Sequence, residues 1–252
     1  MSPLAAVRAG EGPTTVLVHG FTQTGSSMAP LAERLASRRR TVCVDLPGHG
    51  GSTSISCDLD EAASLVIDAA SGEPFDLVGY SLGGRVALHA ACQSPANLRS
   101  TVVVSASAGI KDPVARERRL ERDVAMADEL LASGDVDGFL DRWLASPMFA
   151  TLPHSMADLE GRKSNTARGL ADSLRRCSLG AQRWLLDELG RLDRPVLMLA
   201  GARDDPFVGV ATATAAACRG VTCAVVTGSG HVCHLEQPEL TARLIEHFLP
   251  AR

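Results

Sequence analysis

One serine in this sequence stands in a setting that is typical of an enzyme nucleophile. Ser81 is the centre of the Gly-x-Ser-x-Gly run 79–83, which follows the apolar residues 75–78 and opens a stretch with helical spacing. A serine on such a sharp strand-to-helix turn needs small neighbours, because side chains at Gly79 and Gly83 would collide with the adjacent strand and helix. We therefore predict that Ser81 is the nucleophile; the alternative is a glycine-rich connection beside a helix.

A histidine near the C-terminus could act as the base for this serine. His231 follows the small residues 228–230 and comes after the last apolar run of the chain. Glycines in that segment allow the loop to bring the imidazole over Ser81. His234 is the alternative base, and we predict for it a supporting or capping role.

The third member of such a group would be an acid placed between the serine and the histidine in the chain. Asp204 stands three residues after Gly201, in a turn that follows an apolar run. Its neighbour Asp205 precedes Pro206, which pushes it toward an extended or turn-forming conformation. We predict that Asp204 holds the histidine tautomer and stabilises the imidazolium, while His231 moves the proton of the serine.

Two backbone amides are candidates for an oxyanion hole. The run 16–20 ends in a His-Gly dipeptide and leads into a polar, glycine-containing loop that begins at Phe21. The N–H groups of Phe21 and of Leu82, the residue after the nucleophile, could stabilise negative charge on a substrate oxygen. We predict structural roles for His19, which would orient the loop, and for the turn 45–50.

The segments around these residues alternate between two kinds. Short runs rich in valine and leucine are typical of buried parallel strands, and they lie at 15–19, 41–46, 75–79, 101–105, 196–200 and 222–226. Stretches with helical spacing lie between them, at 29–37, 59–70, 82–91, 210–218 and 239–249. This alternation predicts an α/β fold in which helices flank a mostly parallel sheet.

The alternation stops between residues 111 and 194, where the sequence is charged and has helical spacing. We predict that 111–194 is a helical cap inserted into a single core formed by 1–110 and 195–252. In open α/β folds ligands bind outside the carboxyl ends of the strands, where such an insertion lies. The cap is therefore expected to help select the substrate.

Composition and charge are those of an ordinary globular enzyme. The 252 residues are 45% hydrophobic and 21% charged, with a formal net charge of −4, which argues against a nucleic-acid partner. We see neither a signal-peptide pattern nor an apolar stretch of membrane-spanning length, and predict a cytoplasmic monomer or small homo-oligomer with no membrane partner. The seven cysteines are scattered without a Cys-x-x-Cys pair, so no metal, disulfide framework or cofactor is expected.

Four short motifs, taken together and in this order, point to one superfamily. They are His19-Gly20, the run 79–83, the segment 201–204 and Gly230-His231. This set resembles the α/β-hydrolase superfamily across most of the chain. The resemblance implies the α/β-hydrolase fold and a serine–histidine–aspartate triad, but a fold does not decide the reaction.

A more specific pattern lies in the serine turn and the predicted cap, at 79–85, 108–110, 116–119, 139–143 and 147–149. It resembles the 2-succinyl-6-hydroxy-2,4-cyclohexadiene-1-carboxylate synthases of menaquinone biosynthesis. The resemblance implies a pocket for a carboxylate-rich, small-molecule substrate. In that family a tyrosine, two arginines and a tryptophan shape this pocket, and the matching residues here are Tyr80, Arg85, Arg119 and Trp143.

The sequence departs from that family at one position of the cap. A further family arginine falls within 159–165, where the best register places Lys163 and not Arg162. Lysine cannot form the bidentate fork with which arginine binds a carboxylate. Lys163 is therefore the expected fifth substrate-binding residue, with weaker carboxylate recognition.

The resemblance implies a cofactor-independent lyase. Ser81, activated by His231, would remove a proton from an anionic cyclohexene carboxylate, and pyruvate would leave by elimination. The runner-up is a serine carboxylesterase or related hydrolase that acts on a small ester or C–C bond, with Ser81 acylated. In that case Arg85 would be a solvated helix residue and Trp143 a core anchor. A ligand receptor on a hydrolase scaffold is a third possibility.

Overall fold

A computed structural model describes residues 3–250 of the chain. The strands are β1 (Ala6–Ala9), β2 (Thr14–Val18), β3 (Arg40–Val44), β4 (Phe75–Tyr80), β5 (Leu98–Val104), β6 (Val196–Gly201) and β7 (Val221–Val226). They form one seven-stranded sheet in the order β1-β3-β2-β4-β5-β6-β7. β1 runs antiparallel to β3, and the other neighbouring pairs are parallel.

From β2 onward, each strand is followed in the chain by at least one helix. They are α1 (Ala29–Leu35), α2 (Leu59–Asp68), α3 (Leu82–Gln93), α4 (Pro113–Ser133), α5 (Val136–Leu144), α6 (Leu159–Lys163), α7 (Ala167–Arg176), α8 (Leu186–Leu189), α9 (Asp205–Ala217), α10 (Cys233–Glu236) and α11 (Pro238–Phe248). Across residues 3–250, none of these helices combines the length and the apolar character that a bilayer crossing requires.

Helices cover both faces of the central part of the sheet, which explains why β2, β4 and β6 are buried along their whole length. Successive side chains of a strand point to opposite faces. Val16 and Val18 of β2 pack in the core cluster that contains apolar residues of α2 and α3. Leu17, between them, packs in the cluster that contains residues of α1 and α11.

The predicted α/β fold with a mostly parallel sheet is confirmed, and each of the six predicted strands is present with small shifts at its ends. The sequence analysis missed β1, a four-residue strand at the edge of the sheet with a largely exposed burial pattern. Its sequence, Ala-Val-Arg-Ala, has no apolar run. β1 is held by antiparallel pairing with β3, which is a tertiary contact and leaves no local signal.

Helices α4 to α8 lie between β5 and β6 in the chain, within the segment predicted to be a cap. α4 and α7 pack on each other through a separate small core that includes Leu130 and Leu170. Phe21, which follows β2, and Trp143, on α5, pack against the same core. This helical layer therefore lies directly over the loop that leaves the carboxyl end of β2.

Candidate active site

The turn between β4 and α3 holds Ser81 in a backbone conformation that serine rarely adopts. Its φ is 51° and its ψ is −110°, and its N–H donates to the carbonyl of Val104 at 2.9 Å. The flanking glycines make this possible. A Cβ at Gly79 would lie 2.2 Å from the carbonyl oxygen of Gly83, and a Cβ at Gly83 would lie 2.3 Å from the carbonyl oxygen of Val18. The glycine spacing is therefore required by backbone-to-backbone contact.

Ser81, His231 and Asp204 meet at the carboxyl edge of the sheet. His231 Nδ1 lies 2.7 Å from Asp204 Oδ2, and His231 Nε2 lies 3.4 Å from Ser81 Oγ. The carboxylate accepts from Nδ1–H, so Nε2 is free to accept the serine proton. A Cβ at Gly201 would lie 2.0 Å from the carbonyl oxygen of Gly230, so this glycine lets the aspartate and histidine loops touch.

The alternative acid, Asp205, and the alternative base, His234, have different surroundings from Asp204 and His231. Asp205 is the first residue of α9 and is exposed, whereas Asp204 is buried against His231. His234 is fully buried, and its Nε2 accepts from Gln23 Nε2 at 3.4 Å. Its ring packs against Tyr80, with 4.4 Å between the ring centroids. The geometry therefore supports the choice of Asp204 and His231 over these neighbours.

Three buried histidines surround the loop after β2. Burial lowers the pKa of His19 to about 4, and the pKa values of His49 and His234 to about 3. His19 Nε2 accepts from the N–H of Leu46 at 2.9 Å, while its Nδ1–H donates to the carbonyl of Gly20 at 2.8 Å. A neutral ring can make both bonds and an imidazolium cannot, because both of its nitrogens are donors.

These histidines predict acid sensitivity of the fold. Their ordinary pKa is 6.5, so between pH 6.5 and about 4 the unfolded chain binds protons that the folded chain does not. Stability is then lost as the pH falls, by about 1.4 kcal/mol per pH unit for each histidine. We expect Tm, followed by circular dichroism, to fall steadily from pH 7 to pH 4.5. His234→Gln should flatten that slope and exposed His247→Gln should not; a Tm that is constant over this range would contradict the prediction.

A cavity of about 190 Å³ opens next to Ser81. Phe21 and Leu82, the predicted oxyanion residues, line it together with His231. Three of the predicted substrate-binding residues, Arg85, Arg119 and Trp143, also line it.

The two cavity arginines are held by neighbouring groups. Arg85 Nη1 donates to the carbonyl of Cys177 at 2.7 Å. Burial lowers the pKa of Arg85 to about 10, which leaves it charged at neutral pH. Arg119 Nε donates to both carboxylate oxygens of Asp123, at 2.9 and 3.0 Å, and Ser178 Oγ donates to the same carboxylate at 2.7 Å. Asp123 therefore orients Arg119 through Nε and not through its terminal amino groups.

Three further polar groups of the cavity wall lack a hydrogen-bond partner among the described residues. They are the hydroxyls of Ser105 and Ser173 and the indole N–H of Trp143, all buried. A buried polar atom without a partner is costly, and a bound ligand can satisfy it. Together with Arg85 and Arg119, they make the cavity wall suitable for a ligand rich in oxygen atoms.

Two of the predicted substrate-binding residues, Lys163 and Tyr80, are not among the residues that line this cavity, and their role in substrate binding stays a prediction. Lys163 is half exposed, and its Nζ lies 3.6 Å from Asp137 on the outside of the cap. Tyr80 points to the opposite side of the turn from Ser81, where its ring fills the space that a Cβ at Gly20 would occupy. Consecutive residues of a strand point to opposite faces, so Tyr80 and Ser81 diverge.

The register at the end of α6 is also reversed relative to the prediction. Arg162, and not Lys163, is the inward residue, with only 1% of its surface exposed. It donates to Thr22 Oγ1 and, at 2.6 Å, to the carbonyl of Ala157. Arg162 therefore lies behind the loop of Phe21 and does not face the cavity.

Several cavity residues were not predicted from the sequence, among them Ser105, Ser107, Asp123, Ser178 and Phe207. Ser105 and Ser107 come directly after β5, so the convergence of parallel strand ends was a usable signal. Asp123 follows Arg119 by four residues, a spacing that places both on one helix face.

Known proteins resemble this chain over most of its length. The chain matches the Alpha/beta hydrolase family over residues 15–244. It is 31% identical over 244 residues to the 2-succinyl-6-hydroxy-2,4-cyclohexadiene-1-carboxylate synthase of Serratia proteamaculans (strain 568), a match that covers 94% of this chain and 93% of the relative. It is 34% identical over 232 residues to the synthase of the same name from Salmonella heidelberg (strain SL476), with 90% and 89% covered.

Among solved structures, MenH from S. aureus superimposes with a TM-score of 0.89 at 27% identity, covering 99% of this chain and 98% of that one. The match therefore includes both the sheet and the helical layer above the site. The chain belongs to the alpha/beta hydrolase family, and within it resembles the 2-succinyl-6-hydroxy-2,4-cyclohexadiene-1-carboxylate synthases.

Proposed function

We propose that this protein is a cofactor-independent lyase of menaquinone biosynthesis, which eliminates pyruvate from a carboxylate-rich cyclohexene intermediate. The observation that carries the proposal is the shared cavity. Ser81 and His231 line it together with Arg85 and Arg119. The synthases named above are the relatives that support this substrate class.

The charges favour an anionic substrate. Arg85 and Arg119 bring two positive charges to the cavity wall and Asp123 brings one negative charge. Asp123 binds only Nε of Arg119, so the terminal amino groups of Arg119 are oriented and remain available to bind a substrate. A carboxylate bound there makes charge-assisted hydrogen bonds in a site partly shielded from water, where such bonds are strongest.

The triad supplies the proton transfer. His231 Nε2 accepts the hydroxyl proton as Ser81 Oγ takes a proton from the ring carbon of the substrate. The electron pair of the broken C–H bond forms a new ring double bond, and the bond to the pyruvate group breaks with its electrons on the leaving group. The leaving group departs as an enolate and becomes pyruvate when it takes up one proton, which returns the Ser81–His231 pair to its starting protonation state. The amides of Phe21 and Leu82 would stabilise the negative charge that develops on a conjugated carbonyl oxygen.

Replacing Arg119 with alanine tests the substrate class. We expect the KM of Arg119→Ala for pyruvate release from the pathway intermediate to rise roughly 10- to 100-fold, the loss expected for a hydrogen bond to a charged group. Hydrolysis of p-nitrophenyl acetate, a neutral ester, should change little. Pyruvate is measured with a coupled dehydrogenase assay, and both activities are measured on the same preparations.

Arg118→Ala is the matched control, because Arg118 is exposed on the same helix and does not line the cavity. It removes the same charge and should leave both activities unchanged. An enzyme that hydrolyses the ester, releases no pyruvate and is indifferent to Arg119→Ala would instead be a serine carboxylesterase, and the lyase proposal would be abandoned.

A further inference from the structure

Thr22, the residue after Phe21, holds an uncommon conformation at a buried position. Its φ is 67°, in the left-handed region, and its side chain is fully buried. Threonine rarely adopts this region, because its branched side chain crowds the backbone there. Such a conformation persists only where the surroundings hold it, and it concentrates at functional sites.

Three polar groups from outside the loop hold Thr22. His49 Nε2 accepts from the Thr22 N–H at 3.3 Å, and Asn165 Nδ2 donates to the Thr22 carbonyl at 2.7 Å. Arg162 donates to the hydroxyl. The N–H, the carbonyl and the hydroxyl of this residue are thus each bonded, and two of the three partners belong to the helical layer above the sheet.

The peptide on the other side of Phe21 is held as well. The carbonyl of Gly20 accepts from the N–H of Gln23 at 3.1 Å and from His19 Nδ1–H at 2.8 Å. In a trans peptide the N–H points away from the carbonyl oxygen of the same unit. Fixing the Gly20 carbonyl therefore aims the Phe21 N–H in the opposite direction, and fixing Thr22 removes the remaining rotation at Phe21.

Asn165 joins three segments of the chain. Besides Thr22, its Nδ2 donates to the carbonyl of Arg162 at 2.9 Å, and its Oδ1 accepts from the N–H of Gly50 at 2.9 Å. Its side chain is buried. One amide group thus connects the end of α6, the loop after β2 and the turn that carries His49.

We propose that Asn165 and His49 are positioning residues of the oxyanion site, which lock Thr22 so that the Phe21 amide stays aimed at the substrate oxygen. The helical layer then has two functions: it contributes Arg119 and Trp143 to the cavity wall, and it holds the loop that carries the oxyanion donor. This inference rests on the oxyanion role of Phe21 within the proposed function.

The test uses paired variants on the two sides of Thr22. Asn165→Asp keeps the shape and the acceptor for Gly50 but loses the N–H that binds Thr22. His49→Leu removes the acceptor for the Thr22 N–H, and His49→Gln restores one at the position of Nε2. Ser164→Ala is the control, because Ser164 is exposed and bonds only within the cap, to the carbonyl of Gly161.

Steady-state kinetics for pyruvate release and for p-nitrophenyl acetate hydrolysis are measured, together with the Kd of a trifluoromethyl ketone that forms an oxyanion adduct with Ser81. We expect Asn165→Asp and His49→Leu to lower kcat for both reactions about 10- to 100-fold, less than outright loss of an oxyanion donor costs. KM should change less than about threefold, and the ketone should bind correspondingly more weakly. His49→Gln should recover most of the activity, and Ser164→Ala should match the wild type.

Unchanged kcat in Asn165→Asp and His49→Leu would overturn the inference, as would a loss of Tm with normal kcat in the folded fraction. A wild type that neither hydrolyses the ester nor binds the ketone would also overturn it. A wild type that hydrolyses the ester without releasing pyruvate would refute the lyase and leave the ester and ketone data to decide the role of Asn165 and His49.

Discussion

Replacing Ser81 with alanine is expected to lower kcat for pyruvate release and for ester hydrolysis by about 10⁴-fold or more, as for other enzymes that lose a triad member. In the proposed mechanism the hydroxyl accepts or delivers the proton. His231 Nε2 lies 3.4 Å from Ser81 Oγ, and it bonds to no other side chain among residues 3–250. Alanine retains the Cβ, so the conformation at this turn is strained to a similar degree and Tm should change little.

Ser94→Ala is the matched control for this variant. Ser94 also has a positive φ, of 50°, but it is exposed at the far end of α3. It should retain full activity. If Ser81→Ala lost ester hydrolysis but kept more than roughly 1% of pyruvate release, the proton would be removed by another group, and the role of Ser81 as the base of the elimination would be refuted.

Replacing Asp76 with alanine is expected to lower the free energy of unfolding by about 3–5 kcal/mol, the cost of leaving buried charges without their partner. Asp76 lies at the beginning of β4 and is fully buried. Its carboxylate accepts from Arg39, from Arg99 and, at 2.7 Å, from Ser100 Oγ. Removing it leaves two guanidinium groups facing each other, one of them buried.

Urea denaturation followed by circular dichroism measures this change. Asp76 lies at the amino end of the sheet, away from Ser81, so kcat of the folded protein should be close to that of the wild type. Glu129→Ala removes an exposed partner of Arg142 and should cost less than about 1 kcal/mol. A similar, small loss in both variants would show that the Asp76 cluster does not stabilise the fold.

Much of the candidate site could be predicted because its signals are local. The Gly-x-Ser-x-Gly spacing is visible within five residues, and Gly201 and Gly230 stand close to Asp204 and His231 in the sequence. The contacts that require Gly83 and Gly201 are with distant segments, at Val18 and at Gly230. Val16, Leu17 and Val18 are all apolar because both faces of the sheet are buried, which distinguishes this strand from an exposed one.

The expectations that differ from the structure are those in which a local pattern does not decide the direction of a side chain. α6 has only five residues, too few for an apolar stripe to show whether Arg162 or Lys163 points inward. Tyr80 was assigned to the cavity by resemblance, whereas the alternation along β4 turns it away from Ser81. In the same way, the arginine run 38–40 does not show by itself that Arg39 is buried and bonded to Asp76.

The sequence by itself determined the alternation of strands and helices along the chain from β2 to β7. It also determined the serine turn and the candidates for nucleophile, base and acid. These features depend on steric limits and hydrophobic periodicity over a few neighbouring residues. Only the tertiary structure decided which arginines line the cavity and which buried histidines stay neutral. It also decided that Asn165 bonds to Thr22, which lies 143 residues away in the chain. Burial and hydrogen bonding between distant segments set those properties. A contact between side chains that are far apart in the chain leaves no pattern in the sequence near either of them.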